Sequence, residues 1–390
     1  MISVEDALAQ VIALARPLPT EMVSLSNAAG RVLRAPVSAT RDQPPFRSAA
    51  MDGYAVADPV RKGARLRVVG QAAAGHAFHG QLNPDDAIRI FTGAPVPTGA
   101  TRIIMQEDIQ VDGDHILLKE PPQPARHIRE KGIDFSLGDQ ISAPRRLRPV
   151  DLALLAAMNC PEVSASKTPD VAIIATGDEL VMPGESPRED QIIASNAFTV
   201  KALAEMEGAS ARILPIARDS EASLRSVLEL AQDADLIVTI GGASVGDHDL
   251  VSKVALAQDA SLAFHKVALR PGKPLMAGRL GHSLLLGLPG NPVSSIICAH
   301  LFMRPALRAL QGLGGFPLPS ATAILAADLP ANGNRAHYMR GTLGPGPTIT
   351  ALNDQDSSLL TVLCAADALL VRPANDPARK AGEQMRYIAL

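Results

Sequence analysis

The middle of the chain, from about residue 169 to 315, alternates apolar runs with amphipathic segments. This alternation constrains the fold more than any other feature, because parallel strands need crossover helices and become covered on both faces. In chain order the predicted elements are strand 171–175, helix 196–207, strand 212–217, helix 220–232, strand 236–240, helix 249–258, strand 284–288, and a helix starting at Pro292 that Asn291 caps. The sequence therefore predicts an α/β domain with a parallel sheet.

The regions on either side of this α/β domain have a different pattern. Helices are predicted over 3–15 and 150–158, with short β-like runs between them. Asp112-Gly113, between two apolar runs, predicts a β-hairpin. From Pro317 onward the chain is rich in β-like runs and turns, which indicates a small C-terminal β domain. A length of 390 residues suits two to four domains of roughly 100–200 residues each.

Composition excludes several classes of function. The net charge of −3, with eight Phe, three Tyr and no Trp, argues against nucleic-acid and membrane partners and against a sugar-binding cleft. Cys160, Cys298 and Cys364 are far apart, so neither a disulfide framework nor a structural zinc site is expected. The uncharged stretch 280–303 contains prolines and glycines and is better interpreted as strand, turn and buried helix than as a membrane span. We expect a soluble, cytoplasmic protein.

Three predicted strands run directly into loops that are rich in glycine and polar residues, at 176–180, 241–249 and 287–294. Ligands of open α/β sheets bind at the carboxyl ends of the strands, where glycine lets backbone N–H groups approach phosphates. Neither a Walker A loop nor a GxGxxG fingerprint is present, which disfavours an ordinary ATPase or NAD enzyme. For each loop taken singly, a simple turn is an equal alternative.

Charged residues near these loops are further candidates for a site. Lys266, Arg270 and Lys273 surround a Pro-Gly turn and form either a clamp for an oxyanion or a solvated face. Four acids directly follow predicted strands: Asp178, Glu179, Asp219 and Asp249. Their carboxylates can hold Mg²⁺ against a phosphate or can cap helices. Taken alone, Asp52 and Thr92 are local hydrogen-bonding residues of turns.

Together these segments resemble the molybdopterin molybdenumtransferase family, the MoeA-type proteins with the gephyrin E domain and its plant relatives. The resemblance covers nearly the whole chain. In order, the matching motifs are Met-Asp-Gly-Tyr-Ala at 51–55, Thr-Gly-Ala-x-Val-Pro at 92–97, Met105-Gln106-Glu107, Gly132-Ile133-Asp134, Ala-Thr-Gly-Asp-Glu-Leu at 175–180, Gly-Gly-x-Ser-Val-Gly-x-x-Asp at 241–249, Pro-Gly-Lys-Pro at 271–274 and Gly-Leu-Pro-Gly-Asn-Pro-Val-Ser at 287–294. Each motif is short, and their shared order makes the resemblance specific.

The resemblance implies an elongated subunit with four domains that forms a homodimer. A helical linking domain would combine 1–44 with 136–168, and a β-rich domain would cover 45–135. A molybdopterin-binding α/β domain would cover 169–315 and a C-terminal β domain 316–390. The implied activity is a transferase reaction that inserts molybdate into adenylylated molybdopterin with the help of Mg²⁺ and releases AMP. Other proteins of molybdenum cofactor biosynthesis are possible partners.

The resemblance also assigns roles to single residues. The implied catalytic residues are Asp249, Asp219, Glu179, Asp52, Asp134 and Thr92. The implied substrate contacts are Ser244, Gly241, Gly242, Lys266, Arg270, Lys273, Asn291, Ser294 and Ser357, and the implied metal ligands are Asp178, Glu179 and Asp249. Two positions depart from the family pattern: Arg270 stands where many relatives carry Lys, and Asp219 is followed by Ser220 rather than by a second acid.

Two other functions compete with this interpretation. The first is a scaffold or binding role of the kind that animal relatives perform with the same fold, which would not need the acids that this chain retains. The second is the adenylylation step, performed by a related α/β domain. The first 168 residues and the C-terminal β region instead match the insertion branch of the family.

Overall fold

A computed structural model describes residues 1–242 and 250–390 of the chain. Within these residues the helices are α1 Val4–Leu14, α2 Pro149–Ala157, α3 Asn196–Met206, α4 Glu221–Glu229, α5 Leu250–Ala257, α6 Pro292–Cys298, α7 Arg304–Leu310 and α8 Leu360–Cys364. Helix α1 begins as its sequence predicts, because Ser3 Oγ accepts a hydrogen bond from Asp6 N at 3.0 Å.

The N-terminal part of the chain is rich in short strands. They are β1 Thr20–Ser24, β2 Val32–Leu33, β3 Val37–Ser38, β4 Ser48–Ala49, β5 Gly53–Val56, β6 Arg65–Ala72, β7 Asp86–Ile90, β8 Arg102–Met105, β9 Ile109–Asp112, β10 His115–Leu118, β11 Ile128–Arg129, β12 Gln140–Ile141, β13 Arg145–Arg146 and β14 Glu162–Ser166. The predicted hairpin is confirmed: β9 and β10 pair antiparallel around Gly113, whose φ is +60°.

Two sheets organise these strands. One has the order β8-β5-β7-β6-β10-β9 and lies wholly within 45–135. The other has the order β1-β14-β2-β13, so strands from before residue 45 pair with strands from after residue 135. This pairing supports the grouping of the two flanks in one linking domain, and the four domain boundaries themselves stay predictions.

The central region contains the α/β sheet that the alternation predicts. Its strands are β15 Asp170–Ala175, β16 Leu180–Val181, β17 Ile192–Ile193, β18 Ser210–Ile213, β19 Leu236–Ile240, β20 Ser261–Phe264, β21 Leu269–Arg270, β22 Met276–Leu280 and β23 Ser283–Leu288. The main sheet has the order β18-β15-β19-β23-β22-β20. The parallel prediction is confirmed from β18 to β23, whereas β22 and β20 add an antiparallel edge, because only a tight turn at Gly281 separates β22 from β23.

Both faces of this sheet are covered. Along β19 the side chains alternate, so that Leu236 and Val238 join the core beneath α3, α6 and α7, while Ile237 joins the core beneath α4 and α5. The N-terminal helix α1 also packs into the first of these cores through Val4 and Val11. The sequence shows that α1 has an apolar face, but it does not show which surface that face covers.

The uncharged stretch of the sequence forms part of this core. The segment Pro292–Leu310 comprises α6, a π-helical turn at Ala299–Met303, and α7. It is long and apolar enough to cross a membrane, but 89% of the window concerned is buried inside the protein. The prediction of strand, turn and buried helix is therefore confirmed.

The C-terminal region forms a closed β structure. Its strands are β24 Ala321–Leu325, β25 Ala336–Gly344, β26 Thr348–Ala351, β27 Ala368–Arg372 and β28 Gln384–Ala389. The sheet order is β21-β25-β26-β24-β28-β27, and an additional pairing of β25 with β27 closes it into a barrel. Strand β21, which carries Arg270, thus belongs to this sheet although it lies within the α/β region of the sequence.

Candidate active site

A cavity of about 900 Å³, called here the first cavity, opens at the carboxyl edge of the parallel strands. Its floor consists of the residues that end β15 and β19 and follow β23, which are Ala175, Thr176, Ile240, Gly241 and Gly290. This is the position where open α/β sheets bind their ligands. The described parts of the three glycine-rich loops therefore meet at one site, as the sequence indicates, and positions 243–249 of the second loop lie outside the described residues.

Two glycines at the end of β19 allow this floor to be tightly built. Gly241 and Gly242 have φ values of +90° and +64°, in the left-handed region that favours glycine. A Cβ on Gly241 would lie 2.8 Å from the carbonyl oxygen of Thr176, and a Cβ on Gly242 would lie 2.9 Å from Thr176 Oγ1. Both positions therefore require glycine on grounds of conformation and of space.

The acids of two neighbouring loops lie at the rim of the first cavity. Glu179 and Asp219 line the cavity and are exposed. Asp178 does not line it, and its Oδ1 accepts a hydrogen bond from Asp219 N at 3.1 Å, which joins the two loops. Across the described ranges 1–242 and 250–390, His, Cys, Asp and Glu form no cluster of three that could hold a metal ion.

These donors suit Mg²⁺ better than they suit a metal ion whose ligands all come from the protein. Mg²⁺ is usually bound by one or two carboxylates together with substrate phosphates and water. Glu179 and Asp219 provide two carboxylates beside a cavity whose floor is built of glycine backbone. These two carboxylates could hold such an ion, and the metal roles expected for Asp178 and Asp249 stay predictions.

Positive charge at the first cavity comes from lysines and from helix N-termini. Lys273 and Lys253 line it, and the Lys253 ammonium forms an ion pair with Glu221. The first residues of α3 and α6 line it as well, so the positive ends of both helix dipoles lie beside the space. Helix α6 contributes its dipole and not free N–H groups at its first two residues, because Pro292 has no N–H and Val293 N donates to Ser357. The cavity is therefore suited to an anionic ligand that presents phosphate groups.

The C-terminal region completes the rim. Asn291 Nδ2 donates to Ser357 Oγ at 2.9 Å, and Val293 N donates to the Ser357 carbonyl oxygen at 3.0 Å. The adjacent Ser358 lines the cavity. The predicted cap of α6 is thus wrong in one respect: Asn291 occupies the N-cap position, but its side chain makes no capping hydrogen bond and contacts Ser357 instead.

Arg270 lies in a second cavity of about 440 Å³, on the side of the C-terminal sheet. His337 and Arg372 also line it and are 6% and 2% exposed. Burial, followed by the positive charges of the neighbouring Arg270, Arg340, Arg372 and Arg335, lowers the pKa of His337 to about 4. Its Nε2 is buried and has no hydrogen-bond partner among the described residues.

Asp52 and Thr92 form a compact pair in the β-rich region. Thr92 donates from both its N and its Oγ1 to Asp52 Oδ1, each at 2.8 Å. The hydrogen bond from Thr92 N, followed by that from its hydroxyl, lowers the pKa of Asp52. Arg89 contributes to the same shift through its charge, and it stacks on the rings of Tyr54 and Phe91, 5.1 and 4.7 Å from their centroids.

The remaining predicted residues are placed as follows. Asp134 is exposed, and its N–H donates to the carbonyl oxygen of Gln43 at 3.0 Å. Lys266 is exposed and lines neither cavity, and Ser294 is buried within α6 at 4% exposure. Asp52, Thr92 and Asp134 do not line the first cavity within this subunit. Ser244 and Asp249 lie outside the described residues.

Sequence reasoning missed several residues that line the first cavity. They are Thr176, Ser195, Asn196, Lys253 and Ser358. Asn196 holds the loop after β23, because its Nδ2 donates to the Gly290 carbonyl oxygen at 2.8 Å. The signal available in the sequence is position: Ser195 and Asn196 start the first predicted helix after β15, and Ser358 follows the matched Ser357.

Comparisons with known proteins agree with this geometry. Three family models match the chain: MoeA N-terminal region (domain I and II) at 2–159, probable molybdopterin binding domain at 172–309, and MoeA C-terminal region (domain IV) at 322–390. A protein of Nostoc named molybdopterin molybdenumtransferase is 33% identical, with 95% of this chain and 89% of that protein covered. The chain belongs to the MoeA family.

Other MoeA-family proteins extend the comparison. A molybdopterin molybdenumtransferase 2 of Mycobacterium tuberculosis is 34% identical, with 98% of this chain and 97% of that protein covered. The crystal structure of a molybdopterin biosynthesis MoeA protein from Pyrococcus horikoshii superposes with a TM-score of 0.85 at 26% identity and covers both chains completely. The multidomain fold is that of the MoeA family, and the chain is a transferase of that family.

Proposed function

We propose that the protein inserts molybdate into adenylylated molybdopterin and releases AMP, in a Mg²⁺-dependent reaction in the cytoplasm. The observation that supports this best is the first cavity. It combines a glycine-built floor and two helix N-termini, which suit phosphates, with the carboxylates of Glu179 and Asp219, which suit a divalent cation. The relatives named molybdopterin molybdenumtransferase supply the identity of the substrate.

The roles of the residues follow from what each can stabilise. The helix N-termini and Lys273 would offset the charge of the pyrophosphate linkage and of the phosphate that leaves with AMP. Glu179 and Asp219 would orient an attacking water molecule and would accept a proton from it. Mg²⁺, when bound by these carboxylates, supplies Lewis-acid stabilisation of phosphate oxygens.

A separate role follows for Arg270, because it lines the second cavity rather than the first. It has no ion-pair partner in the described part of the chain and is exposed, so its guanidinium is available to an oxyanion. Molybdate is such an anion, and it would bind there before it reaches the cofactor. Lys266, which lines neither cavity, would contribute only long-range charge.

A homodimer would account for Asp52, Thr92 and Asp134. These residues lie in the N-terminal part of the chain and away from the first cavity of their own subunit. The Thr92 hydrogen bonds lower the pKa of Asp52 and keep it anionic, which suits a second carboxylate site. We propose that in a dimer they approach the first cavity of the partner subunit.

The test is a reconstitution with purified components. Wild-type protein, adenylylated molybdopterin, molybdate and Mg²⁺ should release AMP and form the molybdenum cofactor. Asp249→Asn should fold normally, because Asn caps a helix about as well as Asp, and should release no AMP, because the charge is lost. Normal turnover by this variant would reject the catalytic role of Asp249.

A scaffold function predicts a different outcome in cells. In a strain that lacks its own enzyme for this step, the wild-type chain should restore molybdoenzyme activity and Asp249→Ala should not. Equal restoration by both would favour a role in binding or assembly.

A further inference from the structure

Arg218 lies where the two acid-bearing loops of the first cavity meet. Its Nη1 donates to the carbonyl oxygens of Asp178 at 3.0 Å and Leu180 at 3.1 Å, and the Gly177 carbonyl oxygen lies at 3.5 Å. All these acceptors belong to the loop 177–180, which carries Glu179. A guanidinium has its donors in a rigid plane, so it holds the carbonyls that it contacts in one arrangement.

The position of Glu179 depends on that arrangement. Within 1–242 and 250–390 no side chain donates a hydrogen bond to the Glu179 carboxylate, so its backbone sets its place. The carboxylate folds back over Gly177: a Cβ added to Gly177 would meet its atoms at 2.5–2.8 Å. A change in the path of the loop would therefore move the carboxylate relative to the cavity.

Arg218 also fixes the second loop, 217–220. Its own N–H donates to Ser223 Oγ at 2.9 Å, at the start of α4. The next residue, Asp219, donates its N–H to Asp178 Oδ1 at 3.1 Å. The two loops are thus joined by the Arg218 side chain in one direction and by the Asp178 side chain in the other.

We propose that Arg218 is a positioning residue that holds Glu179, and with it Asp219, at the rim of the first cavity. The proposal rests on the proposed function, because it assigns Arg218 an effect on that reaction. Arg218 does not line the cavity itself. It acts on the carboxylates through the loop and not through contact with the substrate.

The first experiment compares kcat and KM for AMP release. In Arg218→Ala the carbonyls lose their donor, and kcat should fall roughly 10–100-fold, because small displacements of reacting groups are costly. KM should change less than about threefold, since the glycine floor and Lys273 are unaltered. Arg218→Lys keeps a cationic donor, but its ammonium is more strongly hydrated and sits on a stem of different shape than Nη1, so its kcat should be intermediate.

The matched control is Arg225→Ala, which removes an exposed arginine of α4 that makes no hydrogen bond to the 177–180 loop in the described structure. It should turn over like wild type. Thermal unfolding of each variant checks folding, and Arg218→Lys carries the comparison if Arg218→Ala does not fold. An Arg218→Ala variant that is folded and has wild-type kcat overturns the proposal.

A double-mutant cycle with Glu179→Gln then separates positioning from a general structural effect. If Arg218 acts through Glu179, the double variant should be about as slow as Glu179→Gln alone. If the two losses in kcat multiply in the double variant, Arg218 does not act through Glu179, and the role of Glu179 itself is unaffected. A fully active Glu179→Gln variant would instead reject the proposed reaction site and this proposal with it.

Discussion

The two cavities present different groups to an anion. The first is built from backbone: glycines with positive φ, the N-termini of α3 and α6, and carboxylates held at the rim by neighbouring loops. The second is built from side chains, with Arg270, Arg372 and the buried His337 in its wall. The contrast teaches that the first cavity should be sensitive to shape and the second to charge, because a substitution can remove a side-chain charge but leaves the backbone N–H groups and dipoles in place.

The largest effect is expected from Glu179→Gln. It keeps the shape of the side chain but removes the charge at the rim of the first cavity, so AMP release should slow by roughly 10²–10⁴-fold. Glu185→Gln makes the same chemical change at an exposed residue of the following turn, outside the cavity, and should be active. Measured rates that are equal for the two variants would remove Glu179 from the chemistry.

Gly241→Ala should give the next largest effect. Its methyl group would collide with the Thr176 carbonyl oxygen, so the floor must shift and substrate binding should weaken roughly 10–100-fold. Gly281→Ala is the matched control: its φ is +58°, but its Cβ would meet nothing within 4 Å. Both variants share the conformational cost of about 1 kcal/mol. Titration calorimetry with the adenylylated substrate should therefore show weaker binding only for Gly241→Ala.

The free energy of unfolding should fall at acidic pH, because His337 in the wall of the second cavity is held neutral in the folded protein. The pKa of His337 is about 4 in the folded protein and its ordinary value is 6.5, so the unfolded chain binds a proton first as the pH falls. The stability that neutral His337 contributes is present above about pH 6.5 and is lost towards pH 4. Between pH 7 and 5 the free energy of unfolding should fall by about 1–2 kcal/mol from this residue.

His300 provides the internal comparison for that measurement. Burial, and then the charge of Arg304, lower its pKa to about 4 as well, although Glu207 opposes the shift. Urea unfolding at pH 7, 6 and 5 should therefore show that the free energy of unfolding depends less on pH in His337→Gln than in the wild type. The dependence that remains should be the contribution of His300. An unchanged pH dependence in His337→Gln would show that His337 does not resist protonation.

The smallest effect is expected from Arg270. Arg270→Ala should weaken molybdate binding about tenfold at low salt and less at about 0.15 M salt, where the Debye length is about 8 Å. Arg270→Lys should mostly retain binding, since the lysine keeps a positive charge at the same place. The free energy of unfolding should change by less than about 0.5 kcal/mol, because Arg270 is exposed. Wild-type binding by Arg270→Ala at both salt concentrations would remove the residue from the site.

The α/β core could be predicted because its signals are local. The bounds of β19, 236–240, agree with the sequence, since a fully apolar run ends at two glycines. Neither the surface on which α1 packs nor the pairing of β21 with β25 could be predicted, because such contacts join residues that are far apart in the chain.

The candidate site shows the same limit. The described ends of the glycine loops converge as predicted. The sequence places Lys273 and Arg270 in one cationic turn, whereas in the structure they line different cavities. Residue type and spacing indicate which groups bind anions, whereas the strand pairing of Arg270 decides which cavity receives it. Arg218 left no signal, since an arginine that binds backbone carbonyls has no sequence motif.

The short connection between Arg270 and Lys273 has a kinetic consequence. Three peptide units separate them, so their Cα atoms are at most about 10 Å apart, and each faces a different cavity. This separation is comparable to the Debye length of about 10 Å at 0.1 M salt, so the two cations would attract an approaching oxyanion together. Removing either charge would then slow the association of an oxyanion with both cavities, and added salt would reduce that difference.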